Sequence, residues 1–214
     1  MGYGFRMRCW GKYACFTRPE MKVERMSYEV MTPSAARGIV EAVYWHPGLQ
    51  YTIDRIIVLN PVHFMNIRRN EVKSKISCSA FLAANDPTKL FLSASNDIAQ
   101  RAAAVLTDVA YVIEYHFDMT DKAAECDNYG KFCDIINRRL RDGKCYYQPY
   151  FGCREFPVNF CAADGSEKPI QETRSLGFML YDMDYSNRDN VTPIFFKAEL
   201  QNGVIDLRNC EVHK

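Results

Sequence analysis

IAQRAAAVLTDVAYVIEYHF, residues 98–117, holds two kinds of pattern. Its first nine residues, IAQRAAAVL (98–106), are alanine-rich and carry helical propensity. Its last seven, YVIEYHF (111–117), alternate as a strand does: Tyr111, Ile113, Tyr115 and Phe117 share one face, while Val112, Glu114 and His116 share the other. A helix is expected next, over residues 129–142. Asn128 can cap it, Gly143 can stop it, and Phe132, Ile135, Ile136 and Leu140 give it an apolar stripe. Arg138, Arg139 and Arg141 crowd its end, and CYYQPYF (145–151) then reads as another strand.

The same reading extends toward the N-terminus. Residues 4–10 alternate, with Phe5, Met7 and Cys9 on one side and Arg6, Arg8 and Trp10 on the other. Residues 11–31 carry few periodic signals and read as a long ordered loop. Thr32-Pro33 predicts a helix start, an N-cap followed by proline at the first helical position. Ala35, Ala36, Ile39, Val40 and Val43 follow at helical spacing, and Pro47 closes the helix. LQYTIDRIIVL (49–59) is a strand. A polar, basic stretch with Arg68, Arg69, Lys73 and Lys75 comes next, then a loop over 83–97 containing Pro87. The order β, α, β, β, α, β predicts an α+β, ferredoxin-like (RRM-like) fold, with the helices on one face of an antiparallel sheet. After Pro157 the character changes. GFMLYDMDY (177–185), TPIFFKAEL (192–200) and GVIDL (203–207) read as strands, and Asn202-Gly203 signals a type I′ hairpin turn. The expected division is a domain at 1–156 and a small C-terminal antiparallel β subdomain at 157–214.

Composition narrows the class. The chain has 214 residues, 48% hydrophobic and 25% charged, with a net charge of +1, as ordinary globular proteins do. A polyanion would therefore have to meet clustered basic residues. The start, MGYGFRMRCW, lacks the apolar core of a signal peptide, and no apolar run approaches a bilayer span, so a cytoplasmic protein without membrane contact is expected. The nine cysteines are widely and irregularly spaced, with no C-x-x-C pair. They are expected to be buried thiols, with no metal site and no cofactor.

Several long segments carry a family resemblance. WGKYACFTRPEMKVERMSYEVMTPSAARGIVEAVYWHP (10–47), VLNPVHFMNIRRNEV (58–72), RAAAVLTDVAYVIEYHF (101–117) and QPYFGCREFPVNF (148–160) resemble, in register, successive blocks of the fifth CRISPR-associated protein family, type I-C (Dvulg) subtype. The resemblance implies a ferredoxin-like domain with a small β extension. It implies an endoribonuclease that cuts CRISPR repeat RNA at the base of a stem-loop without metal and stays on the 5′ handle of the crRNA. It also implies partners: the backbone and large subunits of the type I-C Cascade complex, and target DNA indirectly through that complex. The family's tyrosine at the end of the first helix corresponds to Tyr44, and the lysine of its lysine–histidine pair to Lys131. The histidine position is occupied by Phe132, a departure from the pattern.

Metal-free RNA cleavage uses the substrate's 2′-hydroxyl as nucleophile and leaves a 2′,3′-cyclic phosphate and a 5′-hydroxyl. It needs a proton acceptor, a proton donor for the leaving oxygen, and a cation for the phosphorane. A tyrosine at a helix end is ordinarily packing and a lysine ordinarily solvated; the resemblance singles out Tyr44 and Lys131. A tyrosinate base would need a cationic neighbour, which Lys131 could supply from the first turn of its helix. His46 and His116 are the candidate substitutes for the missing histidine. Arg68, Arg69, Lys73 and Lys75, then Arg138 and Arg139, and Arg154 in the fourth block are the candidate RNA contacts. The competing reading is a non-catalytic RNA-binding subunit of the same complex, which Phe132 favours.

Overall fold

The computed structural model describes residues 4–21, 23–75, 77–83, 86, 91–187 and 189–213. Strand β1 (Gly4–Ala14) leads to a short β2 (Arg25–Met26), helix α1 (Pro33–Val43), β3 (Leu49–Val58) and β4 (Phe64–Val72). A short helix α2 (Cys78–Ala83) precedes β5 (Ile98–Met119) and helix α3 (Tyr129–Asp142). The chain ends with β6 (Asn159–Ala162), β7 (Arg174–Asp184), β8 (Thr192–Leu200), β9 (Val204–Asp206) and β10 (Val212–His213).

The large sheet has the order β6-β1-β5-β3-β9, with antiparallel pairing throughout this path. Alternation decides which face is covered. Phe5, Met7, Tyr51, Ile53, Ile113, Tyr115 and Phe117 are buried, and Phe5 stacks on Tyr115 at 5.4 Å. Ala36, Ile39, Val40 and Val43 of α1 and Phe132, Ile136 and Leu140 of α3 complete that core. Both helices start as their sequences require. Thr32 Oγ1 accepts from the Ala35 amide, and Asn128 Oδ1 accepts from the Lys131 amide at 2.9 Å. Gly143 closes α3 in the left-handed region at φ 65°.

Several expectations are corrected. Residues 98–106 are strand, the first part of a 22-residue β5, and pair residue by residue with β4. Alanine's helical preference is a weak prior, and a neighbouring strand that supplies every ladder hydrogen bond overrides it. The basic stretch that pairs with it is therefore itself a strand. Residues 145–151 are not a strand. Pro149 interrupts the donors there, and the Tyr146 and Tyr147 amides bond instead to Ala42 O at the end of α1. The strand beside β1 is β6. Helix α1 ends at Val43, so Tyr44 is its C-cap with extended backbone and not part of its last turn. The loop at 11–31 is broken by β1 running on to Ala14 and by β2 pairing with β5. The loop reading around Pro87 lies outside the described residues.

At the C-terminal end β7, β8 and β10 form a small antiparallel sheet. Asn202 and Gly203 both have positive φ, 49° and 77°, as a type I′ turn demands. The strand after that turn, β9, pairs with β3 in the large sheet. No helix among the described residues is long and apolar enough to cross a membrane.

Candidate functional site

The C-terminus of α1, the N-terminus of α3 and the loop before α3 meet at one end of the helical layer. Tyr44 is held there by its backbone: its amide bonds Val40 O, and its carbonyl accepts from the Tyr51 hydroxyl at 2.8 Å. Its ring lies between Phe132, 6.3 Å away, and the Arg139 guanidinium, 4.9 Å from the ring centroid. Arg139 also donates to Val43 O. Burial pushes the Tyr44 phenol above its ordinary pKa; Arg139 and Lys131 pull against that rise and Asp127 adds to it. Burial thereby favours the protonated phenol, a hydrogen-bond donor, over the tyrosinate.

His46 arrives from the loop between α1 and β3. Its ring packs on Phe132 with centroids 5.0 Å apart. The Gly48 amide donates to its Nδ1 at 3.0 Å, so the neutral ring carries its proton on Nε2. Nε2 faces Asp127 Oδ2 at 3.8 Å, beyond hydrogen-bond length. Lys131, in the first turn of α3, bonds Asp127 Oδ1 through Nζ at 2.7 Å. The Asp127 side chain is only 2% exposed, and its Oδ2 also accepts from the Ala124 amide. The Lys131 hydrogen bond, followed by the Ala124 amide, holds the Asp127 carboxyl below its usual range, and Lys131 is in turn raised, so it stays charged.

The structure therefore brings together Tyr44, His46, Lys131 and Arg139. It leaves His116 elsewhere. His116 lies on the sheet face opposite the helices, where its Nδ1 is 2.9 Å from Asp54 Oδ2. Asp127 was missed by the sequence reading. Its one signal was a spacing of four residues before Lys131, across a helix start.

The basic candidates differ in availability. Arg68, Lys73, Lys75, Arg138 and Arg154 are exposed. Arg69 is half-buried and engaged by Glu71 at 3.2 Å and by Glu155. Arg154 borders a shallow groove of about 500 Å³ with Tyr147 and Tyr150.

The sequence model of the family described as CRISPR-associated protein (Cas_Cas5) matches residues 4–208. The chain belongs to that family. It is 46% identical, over 97% of its own length and 96% of the relative's, to the protein named CRISPR pre-crRNA endoribonuclease Cas5d from Mannheimia succiniciproducens. It is 35% identical to the protein of the same name from Thermus thermophilus, over 94% of this chain and 90% of that one. Among solved structures, the fold is similar to one described as a CRISPR-associated protein, with a TM-score of 0.71 at 22% identity, covering 100% of this chain and 97% of that one. A functionally uncharacterized protein from Streptococcus mutans is similar at a TM-score of 0.70 and 21% identity, covering 100% and 98%. In this chain an imidazole lies against position 132, supplied from the α1–β3 loop.

Proposed function

We propose that this chain is a CRISPR pre-crRNA endoribonuclease that cuts repeat RNA without metal and then holds the 5′ handle of the crRNA in a type I-C Cascade complex, in the cytoplasm. The observation that carries the reading is the meeting of an imidazole, a phenol and an ammonium at one pair of helix ends. The name of the two relatives, pre-crRNA endoribonuclease, supports it. The strand order β6-β1-β5-β3 with two helices on one face supports reading the core as ferredoxin-like. We also read residues 1–156 as the RNA-processing part and 157–214 as a β extension, tied to the large sheet through β6 and β9.

In the proposed reaction the 2′-hydroxyl takes the place of the Gly48 amide at His46 Nδ1, the basic nitrogen of the neutral ring, and passes its proton there, because imidazole is the side chain suited to exchanging protons near neutral pH. The 2′-oxygen attacks the adjacent phosphorus in line. Lys131, charged and fixed by Asp127, receives the anionic phosphorane oxygens. Tyr44 gives its proton to the departing 5′-oxygen. The products are a 2′,3′-cyclic phosphate and a 5′-hydroxyl. Arg68, Lys73, Lys75, Arg138 and Arg154 contact RNA phosphates, and the backbone and large Cascade subunits and target DNA are reached through the assembled complex. His116, bound to Asp54, has no part in this chemistry.

The test is incubation of the purified protein with its own repeat RNA in EDTA. One cut at the 3′ base of the stem, with a cyclic phosphate end, is expected. Cleavage that disappears in EDTA and returns with magnesium would overturn the metal-free mechanism. Tight binding without cleavage would favour the non-catalytic subunit, the reading to which Phe132 first pointed.

A further inference from the structure

Gly38 sits in the middle of α1, a helix of 11 residues. Glycine is the poorest helix former after proline, so an interior glycine calls for a reason. Three ordinary reasons fail. Its φ is not positive, since it is absent from the residues in the left-handed region. Nothing packs against it: a Cβ built there meets no atom within 4 Å. It does not end the helix, which continues to Val43. What lies above it is open space, a groove of about 310 Å³, at the size where small-ligand sites begin.

The walls of that groove suit a flat heterocycle. Tyr147, Tyr150, Ser34 and the Cys15–Thr17 segment all line it. Tyr147 is 45% exposed. Its amide bonds Ala42 O, two residues before Tyr44, so the groove opens beside the candidate site. Tyr147 and Tyr150 also border the neighbouring groove that carries the exposed Arg154. A base in the first groove would place its own phosphate toward that guanidinium.

We propose that the groove floored by Gly38 and walled by Tyr147 and Tyr150 is a nucleobase pocket that receives one unpaired base of the repeat RNA next to the cut. The assignment rests on the RNA-binding half of the function proposed above. Aromatic stacking holds the base, Ser34 offers a hydroxyl to its edge, and Gly38 leaves the depth that a long side chain would fill. The pocket sets which nucleotide stands at the cleavage point, and Arg154 holds that nucleotide's phosphate.

The test uses the full chain and its repeat RNA with a 2′-deoxy sugar at the cut, so that binding is read apart from chemistry. Gly38→Met fills the groove and is expected to weaken binding by about tenfold, the scale of one lost stack. Gly38→Ala should bind nearly as wild type, and both variants should melt no lower than wild type, as better helix formers. Among RNAs carrying a single abasic site near the cut, one should lose the same factor with wild type and lose nothing further with Gly38→Met. Tyr147→Ala repeats the measurement from the wall without altering the helix. Wild-type affinity in both Gly38→Met and Tyr147→Ala, or losses that multiply at every abasic position, would overturn the pocket. Wild type that binds but never cuts would reject the cleavage reading and leave this measurement standing. Wild type that ignores the RNA would reject both.

Discussion

The imidazole of His46 and the ring of Phe132 are tilted against each other at 52° with centroids 5.0 Å apart. The two side chains come from different elements, a loop after α1 and the first turn of α3. Position 132 is fully buried against Tyr44 and Phe117, so it belongs to the core. The histidine beside it is half-buried and reaches the site's edge.

Phe132→His should therefore not raise cleavage. It puts a polar ring where Phe117 and Tyr44 pack, and should cost about 2–4 kcal/mol of stability. Thermal melting and single-turnover cleavage check this together. A variant as stable as wild type and faster would show that the imidazole of His46 is not the one the reaction uses.

His46→Ala should lower single-turnover cleavage by about 10²–10⁴-fold with little change in RNA affinity, the usual worth of a general acid or base. His116→Ala, on the far face of the sheet, should leave the rate unchanged. A rate lost in His116→Ala and kept in His46→Ala would relocate the proton transfer.

Tyr44→Phe keeps the contacts with Phe132 and Arg139 and removes only the hydroxyl. It should slow cleavage without weakening binding. Because burial holds the phenol protonated, the slowing should be the same from pH 6 to 8 on our reading of its raised pKa. A defect that grows as the pH rises would mean that the tyrosinate is the working form.

Asp127 gives a pH signature. Its folded pKa is lowered by the Lys131 hydrogen bond. A lowered carboxyl contributes stability that is complete above its unfolded value, about 3.9, and is lost as pH falls through the folded one. The melting-temperature gap between wild type and Asp127→Asn should be constant above about pH 5 and shrink below about pH 4. A gap that widens in acid would contradict the ion pair.

Arg68 and Arg69 should separate. Arg68 is exposed, so Arg68→Ala should reduce the slope of log K against log salt by about 0.7–0.9. Arg69 is taken up by Glu71 and Glu155, so Arg69→Ala should lower stability and leave the slope nearly unchanged. Equal slope changes in both would mean that RNA displaces the acidic partners.

The parts of the fold that local chemistry announces were readable in sequence. Thr32-Pro33, Asn128 with Gly143, and Asn202-Gly203 each name a backbone conformation, and each marks the boundary expected. The errors fall where pairing decides. IAQRAAAVL is helical by composition and strand by virtue of β4, and CYYQPYF looks like a strand but its amides are taken by α1. The site was half legible for the same reason. Tyr44 and Lys131 are marked by resemblance, but the contact of His46 with Phe132 and the bridge through Asp127 exist only after two loops fold against each other.

The length of β5 has a mechanical consequence. At about 3.3 Å per residue, 22 residues of strand reach on the order of 70 Å, while a globule of this chain length is roughly 35–45 Å across. Its first nine residues run with β4 as a ribbon, with Phe64, Met65, Val72 and Ile98 all exposed. The far end of the same strand, through Phe117, packs on Phe132 at the candidate site. Strain applied to the ribbon's tip is thus carried along one backbone toward the wall behind the imidazole, as along a tiller, with Asp108, at φ 51°, interrupting the extended conformation between them.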